Sequence, residues 1–519
     1  MYKDKKFILF IGALFMVLGG IVFPVSFENN DDHILYFISS GALSGQSSPD
    51  LILSSVWWGK LLCFLFSVND NFNWYTFLLM VIQTISFLLI GYTILSIRPT
   101  TELSFILLWL FILSGFAFIC TLKIQFTTVA LIAALSVLLC IQFLPLRKTG
   151  WILCICWMVI ALLLRRETML FVLLFSVPIT LSFRKDRKPL RPFLFFILIT
   201  LSAWAAINYS EPHRPALKAF DQIAAKPTQY TAAVIEKTGY TAADISLIQS
   251  WYPGDHSYAD PIGMPELAEH LASHRNSGDI LKEWKKAAEE ERFMLVLWAV
   301  AFILCYWLLA DKRKYILLIA AILIVLILYL TLYSRIPHRV IFPVLMYVVL
   351  LYLLVLFSSD TNKTTLRYVA LFLLLLSGYK VYSSASLINI QSDNHRQFAS
   401  YQQVLSNHPS QVFISAYGAF PVEYMNAWTP PKNLFPHRNL ILTGWYCYTE
   451  DYRHLLRRHQ LTDITGDIVR RDDILIWSNE EFFEPAFKDV LQQRYDTECH
   501  FESAEVAGIP SLKRVVANN

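Results

Sequence analysis

The 519-residue sequence predicts an all-α polytopic membrane protein of about eleven spans, followed by a small extracytoplasmic α/β domain. Three observations carry this reading. Hydrophobic residues make up 55% of the chain and charged residues 16%, with a mean hydropathy of +0.45; this is too apolar for a soluble enzyme and too aromatic for a disordered chain. Apolar runs long enough to cross a hydrocarbon core of about 30 Å, roughly twenty helical residues each, recur along most of the chain. Beyond residue 386 the pattern changes to short apolar strand candidates alternating with polar helix candidates.

The first run, 7–26, follows "MYKDKK", which resembles the positive end of a signal peptide. No small-residue cleavage site follows, so the segment is an uncleaved first span. Further runs lie at 74–96, 103–120, 124–145, 192–208, 292–310, 315–333, 340–357 and 368–385. "WILCICWMVIALLL" (151–164) and "TMLFVLLFSVPITLSF" (168–183) are shorter and separated only by Arg165, Arg166 and Glu167. Whether they form two spans or a thin hairpin, both ends return to one side and the parity of the count is kept. "LILSSVWWGKLLCFLF" (51–66) is left out of the count: Lys60 interrupts it, and Trp57 and Trp58 suit the headgroup level, which favours an interfacial helix.

With the N-terminus in the cytoplasm, the basic loops "LRKTG" (146–150), "RKDRKPLR" (184–191), "DKRKY" (311–315) and "TNKTTLR" (361–367) all lie on that side. The other side receives the loop 27–73, the Arg165–Glu167 turn, a helical insert 209–291, the turn "SRIPHR" (334–339) and the domain 386–519. The membrane domain is therefore 1–385. In the terminal domain the strand candidates are "QVFISAY" (411–417), "NLILTGW" (439–445) and "DDILIWS" (472–478), with "EDYRHLLRRHQ" as a helix.

Six of the eight cysteines, Cys63, Cys120, Cys140, Cys154, Cys156 and Cys305, fall in apolar segments as small packing residues. Cys154 and Cys156 lack the second ligand pair of a metal site. Cys447 and Cys499 share the outer domain, where a disulfide between them would persist.

Ionisable residues that the basic-loop pattern leaves unexplained converge on the outer face. In "FENNDDHILYFISSG" (27–41) an acidic pair stands at the lip of the first span. One reading makes Asn30, Asp31 or Asp32 the N-cap of the following helix, with the other acid solvated. The other has one carboxylate accept a proton from an attacking hydroxyl while its neighbour holds the acceptor or a hard divalent ion.

An acidic pair directly after the first span, then interfacial helices, many further spans and an outer C-terminal domain, resembles the GT-C glycosyltransferases. More narrowly, "DDHILYFISSGALSG", "NWYTFLL", "IQFTTVALIAAL", "RRETMLFVLL" and "GYTAADISLIQSWYPGD" resemble a group of bacterial multi-pass proteins of that plan. The resemblance covers about residues 1–350 in pattern. It implies a GT-C-like core in a bacterial cytoplasmic membrane, a polyprenyl-phosphate-linked sugar as donor, a glycan or lipid acceptor, and catalysis or metal binding by the first-loop acids. Asp31 and Asp32 are then the catalytic candidates. With His33, which stands where an aliphatic residue is usual, they are also the candidates for a divalent cation, Mg or Mn.

Transfer from a lipid phosphate leaves growing negative charge, for which arginine is the natural partner. Arg165, Arg166, Arg335, His338 and Arg339 are outward-facing cations, with Glu167 either neutralising an arginine or joining the site. Snorkelling to membrane lipids is the plainer use of these cations. Asp255, His256 and Asp260 read as a solvated loop; Trp445, Tyr446 and Tyr448 read as glycan contacts or a strand edge. No Walker-type loop or dinucleotide glycine pattern is present, and nothing points to nucleic acid. The predicted activity is sugar transfer, inverting by one direct displacement. A flippase of lipid-linked glycans without transfer chemistry is the alternative, and an envelope scaffold the third reading.

Overall fold

The computed structural model describes residues 5–518, except 99–101, 183–189, 211–218, 221–222, 225–239, 253–262, 273–276, 334–337, 417, 479–482 and 505–511. The helices of the membrane domain are α1 (Lys5–Val22), α2 (Asn30–Ser40), α3 (Val56–Val68), α4 (Trp74–Ser96), α5 (Leu103–Ile112), α6 (Phe118–Leu122), α7 (Phe126–Phe143), α8 (Lys148–Leu164), α9 (Thr168–Ser182) and α10 (Leu190–Ser210). There follow α11 (Ala242–Gln249), α12 (Gly263–Ala272), α13 (Ser277–Glu290), α14 (Arg292–Leu308), α15 (Arg313–Tyr333), α16 (His338–Phe357) and α17 (Lys363–Asn407). A π turn over Leu113–Ala117 joins α5 to α6 as one span.

Every apolar run expected to span is helical. Among the described residues, eight helices are long and apolar enough to cross a membrane, the arrangement of a multi-pass membrane protein. The count of eleven is not reached by length: α14 qualifies only together with α13, from which it bends by 80°, and α8 and α9 have 17 and 15 residues. The thirteen-residue α3 is too short to cross. Trp57 on it is exposed beneath the Lys60 ammonium, 4.5 Å from the ring centroid, while Trp58 is buried.

Burial orders the bundle. The apolar windows of α16 and α7 are 94% and 89% buried, those of α1 and α17 22% and 17%, so α7 and α16 form the centre and α1 and α17 face outward. Trp109 on α5 is wedged between Gly12 on α1 and Gly91 on α4, where a Cβ would come within 2.8 Å of its ring. Gly59 on α3 is tighter, since its Cβ would stand 1.9 Å from the Pro49 carbonyl oxygen. Gly59→Ala is expected to destabilise the protein by about 1–3 kcal/mol through overpacking. Gly378→Ala on α17, with nothing within 4 Å of the added carbon, should instead gain up to about 1 kcal/mol. Thermal unfolding in detergent distinguishes the two.

α17 runs unbroken for 45 residues, about 67 Å at 1.5 Å per residue, so residue 386 lies inside a helix and not at a break in the chain. The terminal sheet begins four residues after that helix. Its strands are β3 (Val412–Ser415), β4 (Leu440–Leu442), β5 (Ile474–Trp477), β6 (Cys499–Ser503) and β7 (Leu512–Ala517), numbered after the two-residue strands β1 (Ser26–Phe27) and β2 (Lys123–Ile124). The order is β4-β3-β5-β7-β6; β3 is parallel to β4 and β5, and β7 antiparallel to β5 and β6. Runs such as "ILIW", buried at every position, are what a parallel strand covered on both faces requires. α18 (Glu450–Arg458), α19 (Ile464–Arg470) and α20 (Phe483–Tyr495) complete the domain. Cys447 and Cys499, whose pairing the sequence leaves open, are both free thiols.

The terminal domain is sewn to the bundle by hydrogen bonds. The Ala427 N–H donates to the Val25 carbonyl at 2.9 Å, and the Ala427 carbonyl accepts from Asn73 Nδ2 at 2.6 Å. Trp428 Nε1 donates to the Gly20 carbonyl at 2.8 Å.

Candidate active site

α4 and α16 both start at the end of the bundle that carries this domain and finish at the far end. There Arg98 donates to the Ser359 carbonyl at 2.6 Å, and Lys363 pairs with Glu102 at 2.9 Å. The site lies at the near end. β1 pairs with β2 in parallel, Ser26 beside Lys123 and Phe27 beside Ile124, and this sets the acidic loop against the start of α7.

Asn29, in extended conformation, caps α2 by accepting the Asp31 N–H at 3.3 Å. The cap is therefore one residue ahead of the three candidates. Successive helical residues project about 100° apart, so the acidic pair divides. Asp32 points inward and is fully buried. Its Oδ1 accepts the Tyr75 hydroxyl and the Phe126 N–H, each at 2.9 Å. Burial pushes the Asp32 carboxyl well above the usual range, against the pull of these two donors. Sealed from solvent and holding donors from two other parts of the bundle, Asp32 is a structural link between α2, α4 and α7.

His33 is also fully buried, its ring edge-on to Phe27 at 4.9 Å, and burial pushes its pKa down to about 3. Asp31, Asp32 and His33 therefore point in different directions and do not fit a divalent cation. Among the described residues no group of three His, Cys, Asp or Glu side chains is gathered for a metal.

Asp31 faces outward from α2. Arg339 Nη1, from the first turn of α16, donates to Oδ2 at 2.5 Å; Asn29 Nδ2 reaches the same oxygen at 3.4 Å; Trp445 Nε1 of the terminal domain donates to Oδ1 at 3.0 Å. Beside this pair His338 is clamped between two carboxylates. Its Nδ1 bonds Glu291 at the α13–α14 bend, and its Nε2 lies 3.4 Å from Glu28. Both ring nitrogens facing carboxylates require two N–H groups, hence an imidazolium. His338 thus has no nitrogen left for a phosphate and anchors the first turn of α16 instead. Burial pushes the Glu28 carboxyl upward, while His338, Lys123 and Arg339 draw it back.

At the α8–α9 turn Arg165 Nε bonds Glu167 at 3.0 Å, and Arg165 Nη1 bonds the Leu53 carbonyl at 3.3 Å. Arg166 Nε lies 3.4 Å from Glu167. Despite the desolvation that opposes ionisation, the two guanidiniums hold the Glu167 carboxyl below its usual range. The start of α7 ties these clusters together. The Phe126 N–H holds Asp32, its ring lies 5.4 Å from the Arg165 guanidinium, and Thr128 Oγ1 donates to the Arg339 carbonyl at 3.2 Å.

The structure thus brings Asp31, Arg339, His338, Arg165, Arg166 and Glu167 to one end of the bundle. Arg335, Asp255, His256 and Asp260 lie outside the described residues. Tyr446 and Tyr448 are buried in the terminal domain. Sequence reasoning missed Glu28 and Glu291. Glu28 stood in the acidic stretch itself, whereas Glu291 closes the run "EEE", which has the pattern of a solvated helix face.

No family model and no curated protein matches the chain. Among solved structures it is similar to the crystal structure of ArnT from Cupriavidus metallidurans bound to undecaprenyl phosphate, at 10% identity and a TM-score of 0.38, over 98% of this chain and 97% of that one. A score of that size assigns no fold.

Proposed function

We propose that the protein is a membrane glycosyltransferase that moves a sugar from a polyprenyl-phosphate-linked donor to an envelope glycan or lipid acceptor, at the extracytoplasmic face of the bacterial cytoplasmic membrane. The observation that carries the reading is the Asp31 carboxylate, paired to Arg339 and set at the end of the bundle where Arg165 and Arg166 also gather. An acid next to permanent cations at a membrane surface is the pairing that transfer from a lipid phosphate needs.

Asp31 accepts the proton of the acceptor hydroxyl as its oxygen bonds the anomeric carbon. The bond from that carbon to the phosphate oxygen breaks, and its electron pair leaves on the lipid phosphate. One displacement inverts the anomeric centre. Arg339 uses one of its five donors on Asp31; its remaining face, with Arg165 and Arg166, takes the charge that grows on the phosphate. No step passes through a metal ion.

The test is the purified protein in lipid vesicles with a polyprenyl-phosphate-linked sugar. Equal amounts of glycosylated acceptor and free polyprenyl phosphate are expected. Movement of the intact lipid across the bilayer with its sugar still attached would overturn the enzyme reading in favour of the flippase. Orientation is checked separately by placing cysteines at Arg396, 80% exposed, and Lys363, 64% exposed, near opposite ends of α17. The first should label from outside intact cells, the second only after permeabilisation.

A further inference from the structure

We infer that Trp445 brings the terminal domain into the chemical centre, as a positioning residue that holds Asp31 for the acceptor hydroxyl; this rests on the reading of Asp31 as the general base. β3, β4 and β5 are parallel, so their carboxyl ends share one edge, the edge at which open α/β sheets face their ligands. That edge meets the first turn of α2. Gly418, after β3, comes so close that a Cβ on it would be 3.8 Å from Asn30 Nδ2.

The approach of Trp445 is built into the backbone. Gly444, after β4, has φ 95° and ψ −151°, a conformation that is essentially glycine's alone. It turns the indole toward α2, and the ring is buried, 7% exposed, which fixes its direction.

Counting lone pairs shows what this achieves. A carboxylate has about four acceptor directions. Two, on Asp31 Oδ2, are used by Arg339 and Asn29, and one on Oδ1 by the indole N–H. Among the described residues no donor takes the fourth direction, on Oδ1 beside the indole, and there the acceptor hydroxyl would bond. The charged and titratable groups acting around Asp31 are Arg339 from α16, Asp32 from its own helix and Tyr75 from α4. The neutral indole orients Oδ1 without adding charge, and removing a hydrogen-bond donor from a carboxylate disfavours its ionised form.

Trp445→Phe keeps a ring and removes the donor. Turnover at neutral pH is expected to fall roughly 10- to 100-fold, with the acid limb of the kcat–pH profile moved to higher pH and the donor KM unchanged. Trp445→His, which restores a ring N–H, should recover part of the rate and return the acid limb toward its original place. A wild-type rate in Trp445→Phe, or a loss equal at every pH, would overturn the inference. Thermal unfolding of both variants in detergent shows whether the fold is kept; if Trp445→Phe does not fold, Trp445→His decides, and a folded Trp445→His whose acid limb lies well above the wild-type place is likewise fatal. An inactive Asp31→Asn beside an unaltered Trp445→Phe removes this inference alone, whereas a fully active Asp31→Asn removes the general-base reading beneath it.

Discussion

Asp31→Asn is expected to lower sugar transfer by roughly 10²- to 10⁴-fold, the range of a lost general base. The amide matches the carboxylate in shape, so the helix cap at Asn29 and the packing of α2 are kept. What changes is the chemistry of two contacts. Arg339 Nη1 and Trp445 Nε1 each donate to a separate oxygen of Asp31, and an amide can accept at one position only. One donor must then face an NH2 group, and no oxygen with a free negative charge is left to take the acceptor proton. In the proposed mechanism the arginines, not Asp31, meet the lipid phosphate, so donor KM should change little while kcat falls. Unchanged turnover would remove Asp31 from the mechanism.

Asp32 gives the largest effect expected on stability. Asp32→Leu leaves the Tyr75 hydroxyl and the Phe126 N–H without their acceptor in a fully buried place. At about 1–3 kcal/mol for each orphaned donor, the loss is about 2–6 kcal/mol. Asp32→Asn keeps an oxygen for both donors and should cost far less. The pH dependence has a definite sign. Burial raises the folded carboxyl above its usual value of 3.8, so the folded protein keeps a proton that the unfolded chain has released. Stability therefore falls as pH rises above about 3.8, until the folded carboxyl also ionises. In Asp32→Asn this contribution to the slope disappears. Denaturation midpoints of wild type and both variants across pH test the series, and a larger loss in Asn than in Leu would refute the account of Asp32 as an acceptor for two buried donors.

Much of the arrangement was legible because it follows from local composition. A run such as 340–357 has to be helical at bilayer depth, since backbone groups find no partners in lipid. The alternation of basic and non-basic loops then sorts every connection to one end or the other. Arg165, Arg339 and Asp31 were placed together on parity alone, and the contacts of Phe126 and Thr128 bring them together in three dimensions. The three parallel strands of the terminal domain, β3, β4 and β5, were visible for a similar reason, being short, mostly apolar and bounded by turn residues, whereas the longer β6 and β7 were not.

The rest depended on choices that local composition does not contain. Moving the cap of α2 by one residue, from Asn30 to Asn29, rotates the helix by about 100°, and this determines which of Asp31 and Asp32 meets solvent. The partners of His338, at Glu28 and Glu291, lie 310 and 47 positions away in the chain. Cys447 and Cys499 share the terminal domain and still do not meet. The sequence by itself determined a multi-pass helical bundle, a terminal α/β domain and the shared end of the charged residues, because hydrophobicity and loop charge act residue by residue. Only the tertiary structure decided which acid is buried, which cation the other faces and that an indole from the last domain bonds it, because hydrogen-bond partners are chosen by distances among atoms remote in the chain.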